Sequence, residues 1–309
     1  LVYCTGALAL ALSGCGIWSF VLAMVGSQAT YAALLWWRAQ PTMVLHFEPG
    51  ATLTMLATST PLGSIWLLAF AVTYADALIL GSRFPDAIVG GYMFAYIWAF
   101  FASRVLQQPI ARALYPAFVQ FADRPEQQFL AYRLATKVLL AIEVPAALFL
   151  FLNADLVVQI LGGERYSDNA GLLRLLAFAP LVDPLGRFGG ELLVSRHRDF
   201  DRILSLVLHF AALVLGGLWL SHRYGPLGMA WANFLPLGAP ILIWSMARID
   251  RGGLARLILD LVGVYCAPIP LFALASWTPG DHPWLRFGFS DLAGGLSLAS
   301  FWWRFGNRF

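Results

Sequence analysis

The chain has 309 residues, 60% of them hydrophobic and only 12% charged, with a formal net charge of +3. Soluble domains carry about 25% charged residues. A water-coated globular enzyme is therefore excluded, and lipid is the natural solvent for most of the surface. The three cysteines, Cys4, Cys15 and Cys266, are dispersed and make no metal-ligand or redox spacing. No metal, no cofactor and no nucleic-acid partner is expected.

A spanning helix takes about 20 apolar residues. In chain order, helices are predicted over 1–13, 16–37, 51–81, 88–120, 129–152, 168–195, 201–220, 225–247, 257–277 and 287–303. A short amphipathic piece is expected around 154–161. The fold class is all-α, a polytopic membrane helical bundle of about ten transmembrane helices. The third helix carries Pro61, and the fourth carries Pro109 and Pro116. Transmembrane helices tolerate such residues when neighbours satisfy the freed backbone groups. No connection is long enough to hold a soluble domain, so any chemistry takes place inside the membrane or at its edge. Leu1 opens the chain in an apolar run already under way, which leads us to expect a fragment or a truncated reading frame.

Orientation follows from arginine, because cytoplasmic loops are enriched in Lys and Arg. With the helices alternating in direction, one set of loops holds Arg38, Arg124, Arg133, Arg196, Arg198, Arg202, Arg248, Arg251, Arg256, Arg304 and Arg308. The other holds only Arg83, Arg165, Arg223 and Arg286. The first set is read as cytoplasmic, which puts both ends of the chain on that side.

Charges left at membrane depth are Arg104, Arg112, Lys137, Arg174 and Arg187, with Asp76, Glu143, Asp183, Glu191, Asp260 and Asp291. Each costs about 2.5–3.5 kcal/mol at mid-bilayer on insertion scales, so such groups face a protein interior or a wet cavity. Arg104, Gln107, Gln108, Arg112 and Tyr115 recur at spacings of three and four and are read as one helical face. Paired guanidinium and amide groups suit an oxyanion. The alternative is that the arginines reach an interface or pair with acids on neighbouring helices. Asp183, Arg187 and Glu191 stand at i, i+4 and i+8. They form either an intrahelical ion ladder or part of a cavity wall. Asp76 and Glu143, with Asp183 and Glu191, are candidates for coupling to a cation; equally, Asp76 and Glu143 could pair with the arginines of the fourth helix. No nucleophile–base pair or phosphate-cradling glycine loop is present, so the chain is read as a non-enzyme with no catalytic residues.

Several stretches resemble the polysaccharide flippases, exporters of lipid-linked oligosaccharides in the superfamily that also holds multidrug extrusion transporters and the lipid II flippase. They are Asp76-Ala77-Leu78-Ile79-Leu80-Gly81, Gly90-Gly91-Tyr92, Ala95-Tyr96, and Gln108-Pro109-Ile110-Ala111-Arg112-Ala113-Leu114-Tyr115-Pro116. The charged loop Asp123-Arg124-Pro125-Glu126, the turn Ile160-Leu161-Gly162-Gly163-Glu164-Arg165-Tyr166, and Gly225-Pro226-Leu227-Gly228 continue the likeness. Tyr166 stands where tryptophan is commoner. The resemblance implies a two-lobe transporter of twelve to fourteen helices in the bacterial inner membrane. Residues 1–50 would then be the last two helices of an incomplete N-terminal lobe, about four leading helices being absent. Residues 51–250 would be the C-terminal six-helix lobe, and 251–309 an extra helix pair. It also implies a cargo, oligosaccharide on an undecaprenyl diphosphate carrier, moved by alternating access with H+ or Na+ as a possible driving ion. Arg104, Gln107, Gln108, Arg112, Tyr115 and Arg187 would line the cargo cavity. The rival readings are a cation-coupled exporter of drugs or small solutes, a membrane glycan polymerase or ligase, and a non-transporting membrane scaffold.

Overall fold

In the computed structural model the described residues are 2–16, 18–39, 48–235, 237–276 and 290–299, and all of their regular structure is helical. The chain divides into two compact units, 1–56 and 57–309, with the division falling inside one helix.

The first unit holds α1 (Val2–Leu12) and α2 (Trp18–Ala39), followed by the opening turns of α3 (Pro49–Gly81). The α1–α2 turn passes through Gly14 and Gly16, both at positive φ, where a Cβ would be strained. A Cβ on Gly6 would sit 3.7 Å from that of Ala23, so α1 and α2 approach closely at small residues. In α3 the hydroxyls of Thr54, Ser64 and Thr73 bond to carbonyls four residues back. Polar side chains thereby satisfy themselves on their own helix where lipid offers no partner.

The second unit continues with α4 (Asp86–Ala99), α5 (Phe101–Gln120), α6 (Pro125–Leu152) and α7 (Ala154–Gly162). There follow α8 (Ala170–Leu176), α9 (Asp183–Ser195), α10 (Asp199–Tyr224), α11 (Pro226–Ala232), α12 (Ala239–Ala247), α13 (Arg251–Cys266) and α14 (Ile269–Ser276). Residues 290–299 are also helical. The main core gathers Leu80, Tyr92, Ala95, Val158, Leu173, Leu176, Met229 and Ala230. A second core joins Phe118, Phe129, Tyr132, Leu139, Phe188 and Leu192.

Among the described residues, five helices are long and apolar enough to cross a membrane, or six if α4 and α5 count as one bent span. Several of the predicted helices are shorter or interrupted. Residues 1–13 supply only the short α1. The predicted helix 168–195 divides into α8, a 3-10 turn (Ala179–Val182) and α9. Pro180 and Pro184 account for this, since neither can donate the bond that a continuous helix needs; Pro184 instead sits in the first turn of α9, where a missing N–H costs nothing. The predicted helix 225–247 is interrupted between α11 and α12, in the stretch whose sequence carries Pro236, and Pro240 follows in the first turn of α12. The tenth predicted helix, 287–303, lies partly outside the described residues. The amphipathic piece is α7, with Leu156, Val157 and Val158 buried.

Helix 88–120 also breaks, but at neither proline. The bend of 51° falls at Phe100, well before Pro109, and both prolines sit inside α5.

Among the described residues of the second unit, Arg196 and Arg198 lie at one end and Arg83 at the other. At one end Arg196 donates to Gln128 and to the Ala122 carbonyl, and Arg198 donates to the Ser245 carbonyl at 3.1 Å. At the other end Arg83 donates to the Leu218 carbonyl at 2.7 Å, and Asn169 packs against Gly91 near the start of α4. Several arginines do not sit as predicted. Arg133, assigned to a loop, lies within α6 and pairs with Asp260 at 3.0 Å. Arg202 and Arg223 lie within α10, Arg251 and Arg256 lie within α13, and Arg174, placed at membrane depth, pairs with the exposed Asp155 of α7.

Candidate functional site

The polar residues of the second unit form three groups. The first is an exposed strip on α5. Arg104, Gln108, Arg112 and Tyr115 are all exposed, whereas Gln107 is only 4% exposed. Helical geometry explains the difference. At about 100° per residue the four exposed residues span roughly 80°, and Gln107 falls about 60° outside them, among the buried Ser103, Leu114 and Phe118. The predicted five-residue face is therefore four residues wide. The Arg104 guanidinium lies over the Tyr96 ring, 5.4 Å from its centroid, a cation–π contact that fixes it at the α4–α5 bend.

The second group surrounds α9. Gln107 Nε2 donates to Asp183 Oδ2 at 2.7 Å, so the buried amide of α5 holds the exposed carboxylate at the start of α9. An acidic side chain in that first turn also meets the positive end of the helix dipole. Among the described residues no ion pair joins Asp183, Arg187 and Glu191, so the ladder does not form. The charge partner for this group comes from α10. Arg202 reaches across to donate to the Gly186 carbonyl at 3.0 Å, with Asp183, Arg187 and Glu191 within electrostatic reach. Gly190 makes this possible, because a Cβ there would lie 2.3 Å from the Arg202 guanidinium carbon. His209, two turns further along the same face of α10, lies within electrostatic reach of Asp183 and Arg202.

The third group is buried. Asp76, only 2% exposed, accepts a hydrogen bond from Tyr92 and another from Asn233 Nδ2 at 2.9 Å. Asn233 also donates to the Tyr92 hydroxyl at 3.1 Å. Asp76 Oδ1 has no hydrogen-bond partner among the described residues. These residues come from α3, α4 and the C-terminal end of α11, where Asn233 follows directly on Ala232. Glu143 is equally buried: Ser103 donates to Oε1, and Oε2 has no partner. Neither Asp76 nor Glu143 makes an ion pair with an arginine of α5 among the described residues.

Sequence reasoning missed Arg202, which was assigned to a loop, and Tyr92, Tyr96, Ser103, His209 and Asn233. The neutral residues carry no signal on their own. Only their approach to buried carboxylates from distant parts of the chain singles them out.

These features define a polytopic all-α membrane protein with charged and polar groups arrayed inside and along its helices. The profile of the polysaccharide biosynthesis protein family matches residues 1–170, and the chain belongs to that family. Over 177 residues it is 28% identical to the lipopolysaccharide biosynthesis protein WzxC of Escherichia coli (strain K12), which covers 56% of this chain and 36% of that protein. The chain thus spans about a third of that relative's length. Its fold is similar to that of the lipid II flippase MurJ in its inward closed conformation, with a TM-score of 0.74 at 12% identity. That likeness extends over 99% of this chain and 66% of the other.

Proposed function

We propose that this protein is a flippase that moves undecaprenyl-diphosphate-linked oligosaccharide across the bacterial inner membrane for polysaccharide assembly. The observation that carries the reading is the exposed strip Arg104–Gln108–Arg112–Tyr115 on α5. Two guanidinium groups on one exposed helical face are costly against lipid, and they have the donor geometry for a diphosphate. Family membership and the relation to a lipopolysaccharide biosynthesis protein support the same cargo class.

In this reading Arg104 and Arg112 hold the diphosphate, with Gln108 and Tyr115 beside them. Gln107 positions Asp183, and Arg187 and Arg202 extend the positive surface along α9 and α10. Asp76 is the coupling site, binding H+ or Na+ at its unpartnered oxygen while Tyr92 and Asn233 hold the other. Glu191 and Asp183 balance the charge of Arg202. Residues 1–50 belong to one lobe, 51–250 form the second, and 251–309 add a helix pair. The arginine-rich end faces the cytoplasm.

The test is export in cells that lack their own flippase and carry the full-length protein. Accumulation of the lipid-linked oligosaccharide on the cytoplasmic leaflet should be relieved by the wild type and not by Asp76→Asn. Relief by Asp76→Asn at the wild-type rate would remove Asp76 from the cycle.

A further inference from the structure

A cavity of about 320 Å³ opens beside the α4–α5 bend. Its wall is apolar, with Trp98, Phe101, Phe149 and Leu150 prominent, and Glu143 is its only charged lining residue among the described residues. Ser103 occupies Glu143 Oε1, while Oε2 has no hydrogen-bond partner and the side chain is 2% exposed. Among the described residues no cationic side chain lines the cavity. Asp183, the next acidic group, lies within electrostatic reach of Glu143 and adds a second negative field. The bend itself builds this place, since Trp98 ends α4, Phe101 and Ser103 open α5, and the Trp98 and Phe101 rings stand 5.6 Å apart at 37°.

An anionic cargo is repelled from such a site, and a purely hydrocarbon guest leaves the buried carboxylate without a counter-charge. An unpaired carboxylate in apolar surroundings is strongly disfavoured. A cation with an apolar body supplies the missing charge and fills the apolar volume, and aromatic rings favour a quaternary ammonium through their negative faces. The geometry points to a binding site for a lipophilic organic ammonium ion, its charged nitrogen against Glu143 and its apolar part among Trp98, Phe101 and Phe149. This site is separate from the α5 strip, so it stands or falls independently of the cargo reading. Ser103 acts as a positioning residue that holds the carboxylate toward the wall.

The experiment uses a pair of isosteres, benzyltrimethylammonium and its uncharged carbon counterpart neopentylbenzene. Binding to the purified full-length protein in lipid nanodiscs is followed by ligand-observed saturation-transfer NMR and calorimetry. The wild type should bind the cation at least tenfold more tightly than the neutral isostere. Glu143→Gln, which keeps the side-chain volume, should erase that preference while neopentylbenzene still binds. Ala146→Phe, which narrows the cavity without touching the carboxylate, should weaken both ligands together. Equal binding of the two isosteres to the wild type overturns the proposal whether or not any variant folds. So does an unchanged preference in Glu143→Gln, or no binding of either compound.

Discussion

Replacing Tyr92 by Phe removes one hydroxyl from a fully buried ring and takes one of two donors from Asp76. In a soluble protein a hydrogen bond to a charged group contributes about 1.5–3 kcal/mol net. Between membrane helices, measured couplings average about 0.6 and reach about 1.7 kcal/mol, because the unfolded helices also find partners in the bilayer. Two observations place this site toward the upper part of the membrane range, and a third limits the cost. Tyr92 is 0% and Asp76 2% exposed, so water cannot replace the lost donor. Asp76 Oδ1 already lacks a hydrogen-bond partner among the described residues. Asn233 remains to satisfy Oδ2, which keeps the loss below that of an orphaned charge. We expect Tyr92→Phe to cost about 1–1.7 kcal/mol, roughly a 5- to 18-fold shift in the folded ratio. A double-mutant cycle with Asp76→Ala, read by reversible unfolding in mixed micelles, isolates the pair. A coupling energy of about 1 kcal/mol or more is expected, and a coupling below about 0.3 kcal/mol would refute the reasoning.

Two further outcomes follow from the ion pairs and the arginine distribution. Asp260→Asn leaves Arg133 and Lys137, paired to it at 3.0 and 3.3 Å, without their shared anion. Breaking a buried pair costs up to about 3–5 kcal/mol, so membrane abundance and melting temperature should fall and Asp260→Glu should restore both; unchanged values would show that the pairs contribute nothing. For orientation, cysteines placed at 198 and 251 should resist an impermeant thiol reagent in intact cells, and one at 165 should react. Labelling of 198 and 251 from outside would invert the assignment.

Much of the architecture can be read from residue pattern because bilayer thickness sets the length of an apolar run. Helices α2, α3, α6 and α10 occupy predicted segments, and Arg83 lies at the end opposite Arg196 and Arg198, as alternating helices require. The interruptions at Pro180, Pro184 and the stretch after Asn233 had a visible cause in proline but were hidden inside continuous hydropathy. The bend at Phe100 had none, since both prolines of that segment lie further on. Among site residues, Asp76 and Glu143 stood out as buried charges, because a carboxylate in an apolar run is conspicuous in one dimension. Their partners did not. Asn233 is 157 positions from Asp76, and Ser103 is 40 from Glu143, and only folding brings them together. Gln107 shows the limit of periodicity: three- and four-residue spacings place it near the exposed strip, yet a rotation of about 60° is enough to bury it.

The central claim is that the α5 strip receives the anionic head group, and Arg112 tests it most directly. It is exposed, so removing it leaves no buried partner uncompensated and the fold should survive. In the full-length protein, membrane abundance and surface glycan are measured side by side for Arg112→Ala and Arg112→Lys. Normal abundance with strongly reduced glycan is expected for Ala, with incomplete recovery for Lys, which brings a point charge without the planar fork. Normal abundance with undiminished glycan in Arg112→Ala, and again in Arg104→Ala, would contradict the account.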